Sequence, residues 1–202
     1  MGRKSSIALI ISASLLLSGC SSFDAVSTTY NGKTAYVSRD SSDAKADDAS
    51  VPESSAPSFP ELTGLSSPDL NNGVWDVSIS GTGKGENKNP ALSWNPVEGA
   101  SEYVVYMVDT STANLIHLRT GGIKKPLLEK GVLKSREYKG LTPAKGVHTY
   151  DVYVYAMRSD PGKLPGIMFM ANLDFASVEK KLDNAGTILA KGKLTGTFAV
   201  GV

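Results

Sequence analysis

Cysteine, histidine and tryptophan are scarce in this 202-residue chain, at one, two and two, and its 21 lysines and arginines are nearly matched by 20 aspartates and glutamates. Each shortage excludes something. With Cys20 alone, no intramolecular disulfide can form. A formal net charge of +1, without a basic stripe interleaved with aromatics, gives no electrostatic footprint for DNA or RNA, so nucleic acid is not an expected partner. The most apolar run, Ile7 to Leu17, is too short to span a bilayer as a stable helix. The Gly-x-Ser-x-Gly elbow of serine hydrolases is missing. The glycine loop GTGKGE, Gly81 to Glu86, has neither the Gly-x-Gly-x-x-Gly spacing nor a following helix, so it reads as a turn and not as a dinucleotide site.

What is present begins with segments in secretory order. MGRKSS supplies charge, Ile7 to Leu17 an apolar core, and Leu17-Ser18-Gly19-Cys20 a small-residue ending. The ending LSGC is similar to the lipobox of bacterial lipoproteins, whose cysteine thiol takes a diacylglycerol before cleavage in front of it. Residues 1–19 are therefore expected to be a lipoprotein signal peptide, and Cys20 the lipid attachment that holds the protein to a membrane on the extracytoplasmic side of a bacterial envelope. Ser21 is not the aspartate of an inner-membrane retention signal, which leaves outer-membrane sorting open. Residues 20–60 hold the cysteine and a tether rich in Ser, Ala, Asp and Pro, too poor in apolar residues to offset the entropy of ordering. Within it, VSTTYNGKTAYV (26–37) places Asn31-Gly32 between two β-prone pieces, a hairpin signal.

Residues 61–202 read as one mainly β domain. Turns punctuate short β-prone runs: GVWDVSIS, SEYVVYMVD, NLIHLRT, HTYDVYVYAM and LAKGKLTGTFAV. One helix is expected over Asp174 to Gly186, with Asp174 as its cap, Phe175, Val178 and Leu182 at helical spacing, and Gly186 as its end. In SEYVVYMVD, Tyr103, Val105, Met107 and Asp109 share one strand face and Val104, Tyr106 and Val108 the other. Both faces are apolar, which fits a central strand covered on each side. Asp109 stands where that strand runs out, and His148 at the start of the next rich run. By the same alternation the tyrosines at 103, 106, 150, 153 and 155 are expected in the core, not on a carbohydrate platform.

The order of these pieces resembles the phosphatidylethanolamine-binding protein family, including its bacterial members and the Raf kinase inhibitor proteins, over about residues 62–202. GENKNPALSWNPVEGASEYVVYMVD, Gly85 to Asp109, is similar to the family's Gly-Glu-Asn-x-Ser-Pro-x-Leu-x-Trp stretch, its Val-Pro-x-Gly turn and a strand ending in aspartate. Asn87, Pro90, Leu92, Trp94, Val97, Gly99 and Asp109 fall in step. YKGLTPAKGVHTY, Tyr138 to Tyr150, is similar to Gly-Pro-x-Pro-Pro-x-Gly-x-His-Arg-Tyr, with Gly140, Pro143, Gly146, His148 and Tyr150 in agreement. ILAKGKLTGTF resembles the closing strand.

The resemblance implies a β-sandwich-like fold with a large central sheet, a small flanking sheet and a short C-terminal helix. It also implies a small surface pocket for an anionic group such as phosphate or a phospholipid head group. The pocket would be lined by Asp109, His117 and His148 and supported by Pro90, Tyr138, Gly140, Pro143 and Gly146. An imidazole donates to a phosphate oxygen while a nearby carboxylate fixes its tautomer or favours its protonated form. No cofactor and no metal are expected, although two histidines and a carboxylate are a set that iron can use. Asp109 with a histidine is chemically competent for acid–base work. A binding protein is nonetheless expected, not an enzyme. The alternative is a protein-interaction or inhibitor module on the cell surface, with a protein partner at a degenerate pocket. Degeneracy has grounds in the sequence: the family's Asp-Pro-Asp-x-Pro is DTSTA here, Asp109 to Ala113, and the arginine after the second histidine is Thr149. These departures lead us to expect weaker charge and less rigid pocket walls.

Overall fold

The computed structural model describes residues 26–30, 33–37 and 57–200. The expected signal peptide, Cys20 and most of the tether lie outside the described residues. The chain divides into two units, Met1–Val51 and Pro52–Val202. In the first, β1 (Val26–Tyr30) and β2 (Lys33–Val37) pair antiparallel from Val26 opposite Val37 to Tyr30 opposite Lys33, the register that a two-residue connection imposes.

The second unit contains, in chain order, β3 (Leu70–Asn71), β4 (Val74–Trp75), β5 (Leu92–Ser93), β6 (Glu102–Asp109), β7 (Leu115–Ile123), β8 (Leu127–Leu128), β9 (Val147–Met157), α1 (Phe175–Gly186) and β10 (Ile188–Ala199). Six strands form one sheet in the order β3-β4-β10-β9-β6-β7, parallel only between β4 and β10, and β5 pairs with β8 in a small second sheet.

Strand alternation builds a layer on each side of the large sheet. Every residue of β6 is buried. Tyr103, Val105 and Met107 join Val152, Val154 and Ala156 of β9 in a core closed by Leu92, Leu128 and Trp94 on the side of the small sheet. Val104 and Tyr106 join Tyr155 and Met157 beneath Val178 and Leu182 of α1. Each such fully buried aliphatic side chain contributes about 1.5–3 kcal/mol. Of the tyrosines expected in the core, Tyr103, Tyr106, Tyr150 and Tyr155 are buried and Tyr153 is half-buried.

One local expectation changes. GVWDVSIS does not form one strand: the Asp76 carboxylate accepts the Ser78 N–H at 2.8 Å and bends the chain into a 3-10 turn over Val77–Ile79. Asp174 caps α1, accepting the Ala176 N–H at 3.1 Å, and Gly186 is its last residue, both as expected, while the positive φ, 57°, falls on Thr187 just after it. Gly186 is needed for space, since a Cβ there would lie 2.5 Å from the Ser159 carbonyl oxygen.

The outer edge of β7 is covered from both ends of the chain's long connections. Arg119 N–H donates to the Glu137 carbonyl at 2.9 Å, and Lys139 N–H to that of His117 at 2.8 Å. Further along, Phe169 N–H donates to the Ile116 carbonyl at 2.9 Å and Asn172 N–H to that of Ala113 at 2.6 Å. An otherwise open row of strand hydrogen-bonding groups is thereby closed. The described residues contain no helix long and apolar enough to cross a membrane.

Candidate functional site

Asp109 is the last residue of β6 and its side chain is almost fully buried. Its Oδ1 accepts the Thr112 N–H at 3.1 Å, and its Oδ2 accepts the Thr112 hydroxyl at 2.9 Å and lies 2.6 Å from His148 Nδ1. These bonds satisfy a carboxylate that burial alone would penalise. Register explains the meeting. Asp109 stands opposite Tyr150 on β9, so His148, two residues away, lies on the same face of the sheet. The His148 side chain is 18 % exposed and that of Asp109 only 3 %, so His148 is the edge the pair offers to solvent.

The loop after β6 is tied down by hydroxyls. Thr110–Thr112 form a 3-10 turn capped by Asp109. The Thr110 hydroxyl donates to the Thr149 carbonyl at 3.1 Å, and the Ser111 hydroxyl accepts the Thr149 N–H at 3.0 Å. On this side of the site Thr149 brings no guanidinium, but its backbone anchors the loop.

His117, on β7, sits deeper and is 1 % exposed. Its Nδ1 is 2.9 Å from the Lys139 carbonyl oxygen, which can only accept, so Nδ1 carries the proton and Nε2 the lone pair of the neutral ring. Burial holds its pKa below the ordinary value, against the opposing pull of the Lys139 carbonyl and the Asp109 charge. The two imidazoles are joined through Tyr150. Its ring packs edge-on to His117 at 5.4 Å and roughly parallel to His148 at 6.4 Å between centroids. The Tyr150 hydroxyl is buried without a hydrogen-bond partner among the described residues. Burial, and then the nearby Asp109 charge, push its pKa upward.

Two of the expected supports position His117. Tyr138 bridges to Leu118 and donates its hydroxyl to the Ile79 carbonyl, while Gly140 N–H donates to Asn87 Oδ1 at 2.7 Å. Between them Lys139 presents its carbonyl to His117. Gly140 must be glycine, since a Cβ there would lie 2.3 Å from the Gly81 nitrogen. This contact places the GTGKGE turn against the Gly140 segment. Gly146 supplies a positive φ of 73° just before β9. Pro143 is buried. Pro90 is buried beside Asn89, whose side chain donates to the Pro90 and Glu129 carbonyls and accepts the Leu133 N–H, a network that serves the small sheet.

The sequence reading did not single out Thr112, Lys139 or Phe169. Thr112 was open to discovery, because Asp-x-x-Thr is the spacing of a carboxylate cap. Phe169 was not. It packs edge-on to His117 at 5.6 Å from 52 residues further along the chain, with Lys139 Nζ 3.6 Å from its ring centroid. Among the described residues no group of three metal-ligating side chains is arranged around a common point. Two clefts of about 620 and 610 Å³ lie on the surface, and neither is lined by Asp109, His117 or His148.

The sequence matches the phosphatidylethanolamine-binding protein family over residues 67–199. The chain belongs to that family. Crystal structures carry the same fold. The Escherichia coli protein YbcL, described as a member of the mammalian PEBP family, is 19 % identical with a TM-score of 0.54, and the match covers 70 % of this chain and 99 % of YbcL. The phosphatidylethanolamine-binding protein homologue CT736 of Chlamydia trachomatis is 19 % identical with a TM-score of 0.50, at the same coverages. No curated protein matches the chain significantly.

Proposed function

We propose that this protein is a lipid-anchored extracytoplasmic binding protein that holds a small anionic or phospholipid-head-group-like ligand at the Asp109, His117 and His148 site, with His148 as its exposed edge and His117 and Tyr150 beneath. One observation carries the reading. Asp109 fixes the His148 ring through Nδ1 at 2.6 Å, and Nε2 is left without a partner among the described residues. When the ring is protonated, Nε2 donates to a phosphate oxygen while Asp109 accepts on the far side. The Tyr150 hydroxyl lies buried beneath the pair, beside the Asp109 charge. Family membership supports a phospholipid-like ligand. Binding is favoured over catalysis because the three hydroxyls that follow Asp109 are engaged by the turn, Thr110 donating to the Thr149 carbonyl, Ser111 accepting the Thr149 N–H and Thr112 donating to Asp109.

Isothermal titration of the full chain carrying Cys20→Ser, with inorganic phosphate and with phosphoethanolamine, tests the site. We expect binding heat that His148→Ala abolishes. Equal heats from both proteins, or none from either, would remove the site from the account. The anchor is tested separately by fractionating cells: Cys20→Ser is expected to leave the precursor unprocessed and without its lipid, and unchanged processing and lipid labelling would refute it.

A further inference from the structure

The segment from Pro161 to Leu173, alongside the outer edge of β7, carries an apolar tip. Gly166 to Met170, GIMFM, has no charged side chain, and Ile167, Phe169 and Met170 are 60 %, 40 % and 54 % exposed. Apolar side chains grouped in this way on a surface mark a place of interaction. The tip is firmly mounted. The Arg119 guanidinium donates to the carbonyls of Leu164 and Gly166, the Tyr106 hydroxyl donates to that of Pro165 at 2.9 Å, and Phe169 N–H is bonded to Ile116. Phe169 itself is held at φ 59°, a costly conformation for a bulky residue that persists only where its surroundings impose it.

The charge that lines the cleft beside the tip has one sign. Beside it opens a cleft of about 620 Å³ with Ile116, Leu164, Leu173 and Leu182 in its walls, and its only charged lining residues are Lys163 and Lys181. Lys139 lies over the Phe169 ring. The carboxylates of the neighbouring elements lie outside that lining and are held by hydrogen bonds that keep them charged, only Glu179 being neutralised by a cation. Asp160 accepts the Gly162 N–H at 2.7 Å, Asp174 caps α1, Asp183 accepts the Ile188 N–H at 2.8 Å, and Glu179 is paired with Lys191 and Tyr155.

We infer that this tip docks the protein on an anionic lipid surface. Ile167, Phe169 and Met170 enter the boundary between head groups and acyl chains while Lys139, Lys163 and Lys181 meet the lipid phosphates. Aromatic and aliphatic side chains beside lysines suit that boundary. A protein partner suits it less, because lysine is depleted from protein–protein interfaces. The inference rests on the reading of the protein as membrane-anchored, which would bring the tip to such a surface.

The test uses the full chain with Cys20→Ser and Ala171→Cys, labelled at the new thiol with an environment-sensitive fluorophore, so that the signal comes from the segment itself. Vesicles of phosphatidylglycerol with phosphatidylcholine are expected to brighten and blue-shift the probe, an effect lost in high salt and weak on phosphatidylcholine alone. Adding Ile167→Ser, Phe169→Ser and Met170→Ser should abolish it, and Lys163→Gln or Lys181→Gln should each weaken binding about fivefold. The lysine variants change exposed side chains and keep the test valid if the tip variant does not fold. A silent probe on anionic vesicles, or a response that none of these substitutions reduces, overturns the inference. So does a shift that needs only high protein concentration, which would assign the tip to a second copy of the chain. The phosphoethanolamine titration reads His148 independently, so either claim can fail without the other.

Discussion

His117 is the residue whose environment most directly predicts a pH dependence. Its pKa is lowered from 6.5, chiefly by burial. Well above 6.5 the ring is neutral in the native and unfolded chains and adds no pH dependence. As pH falls below 6.5 the unfolded chain takes up a proton that the native one resists, so this stability is lost progressively toward the native pKa. Thermal unfolding of the native sequence is expected to show a midpoint that falls with acid from that point. His117→Asn, which keeps a donor for the Lys139 carbonyl but cannot titrate, should show a flatter profile, and identical slopes would count against the assignment. Phe169→Ala is expected to expose His117 and move its pKa back toward the ordinary value, a shift that NMR titration of the ring would read. Gly140→Ala tests the backbone behind the same histidine. Its Cβ would meet Gly81 and Ser80 backbone atoms at 2.3 and 2.5 Å, contacts that no rotamer relieves. Overpacking of this kind costs about 1–3 kcal/mol, measurable by denaturant unfolding.

At the scale of elements, the 3-10 turn Thr110–Thr112 joins the β6 end to the β9 start with hydroxyls. Ser111→Ala removes the acceptor of the Thr149 N–H and is expected to cost about 0.5–1.5 kcal/mol, with weaker phosphoethanolamine binding as the His148 end of β9 loosens. Unchanged affinity would make the turn structural only. On the other face of the sheet, Leu182→Ala in α1 is expected to cost about 2–5 kcal/mol, because Leu182 is fully buried against Tyr106 and its neighbours. The long elements were legible because each carries one period over many residues: two-residue alternation in β6 and β9, helical spacing with an aspartate cap in α1. The Asp109–His148 pair was legible only by resemblance, since nothing local to residues 109 or 148 announces their register. What stayed hidden was set at long range or by side-chain capture. Asp76 bends GVWDVSIS, Glu179 is buried on the inner face of α1 because Tyr155 and Lys191 meet it, and Phe169 reaches His117 from a connection with no periodicity.

For the whole molecule, the site is a junction between parts distant in sequence. Asp109 and Thr112 come from the β6 end, His148 and Tyr150 from β9, and His117 from β7, which is itself held by Lys139 on one side and Phe169 on the other. A ligand bound there spans contacts that must all be lost when the sheet unfolds, so binding and global stability are linked by mass action. If phosphoethanolamine binds the native chain alone, a concentration one hundred times its dissociation constant adds about 2.7 kcal/mol to the unfolding free energy. Domains of this size translate that into a rise of about 5–10 °C in the unfolding midpoint, at about 2–4 °C per kcal/mol. The rise should vanish in His148→Ala and in Asp109→Asn, which keeps the shape but removes the charge that holds the ring. It should persist in Lys163→Gln, whose lysine lies beside the lipid-docking tip and not at the Asp109 site. A midpoint raised equally in all four proteins would place the ligand elsewhere on the fold, and calorimetric scans of the four proteins with and without ligand decide it.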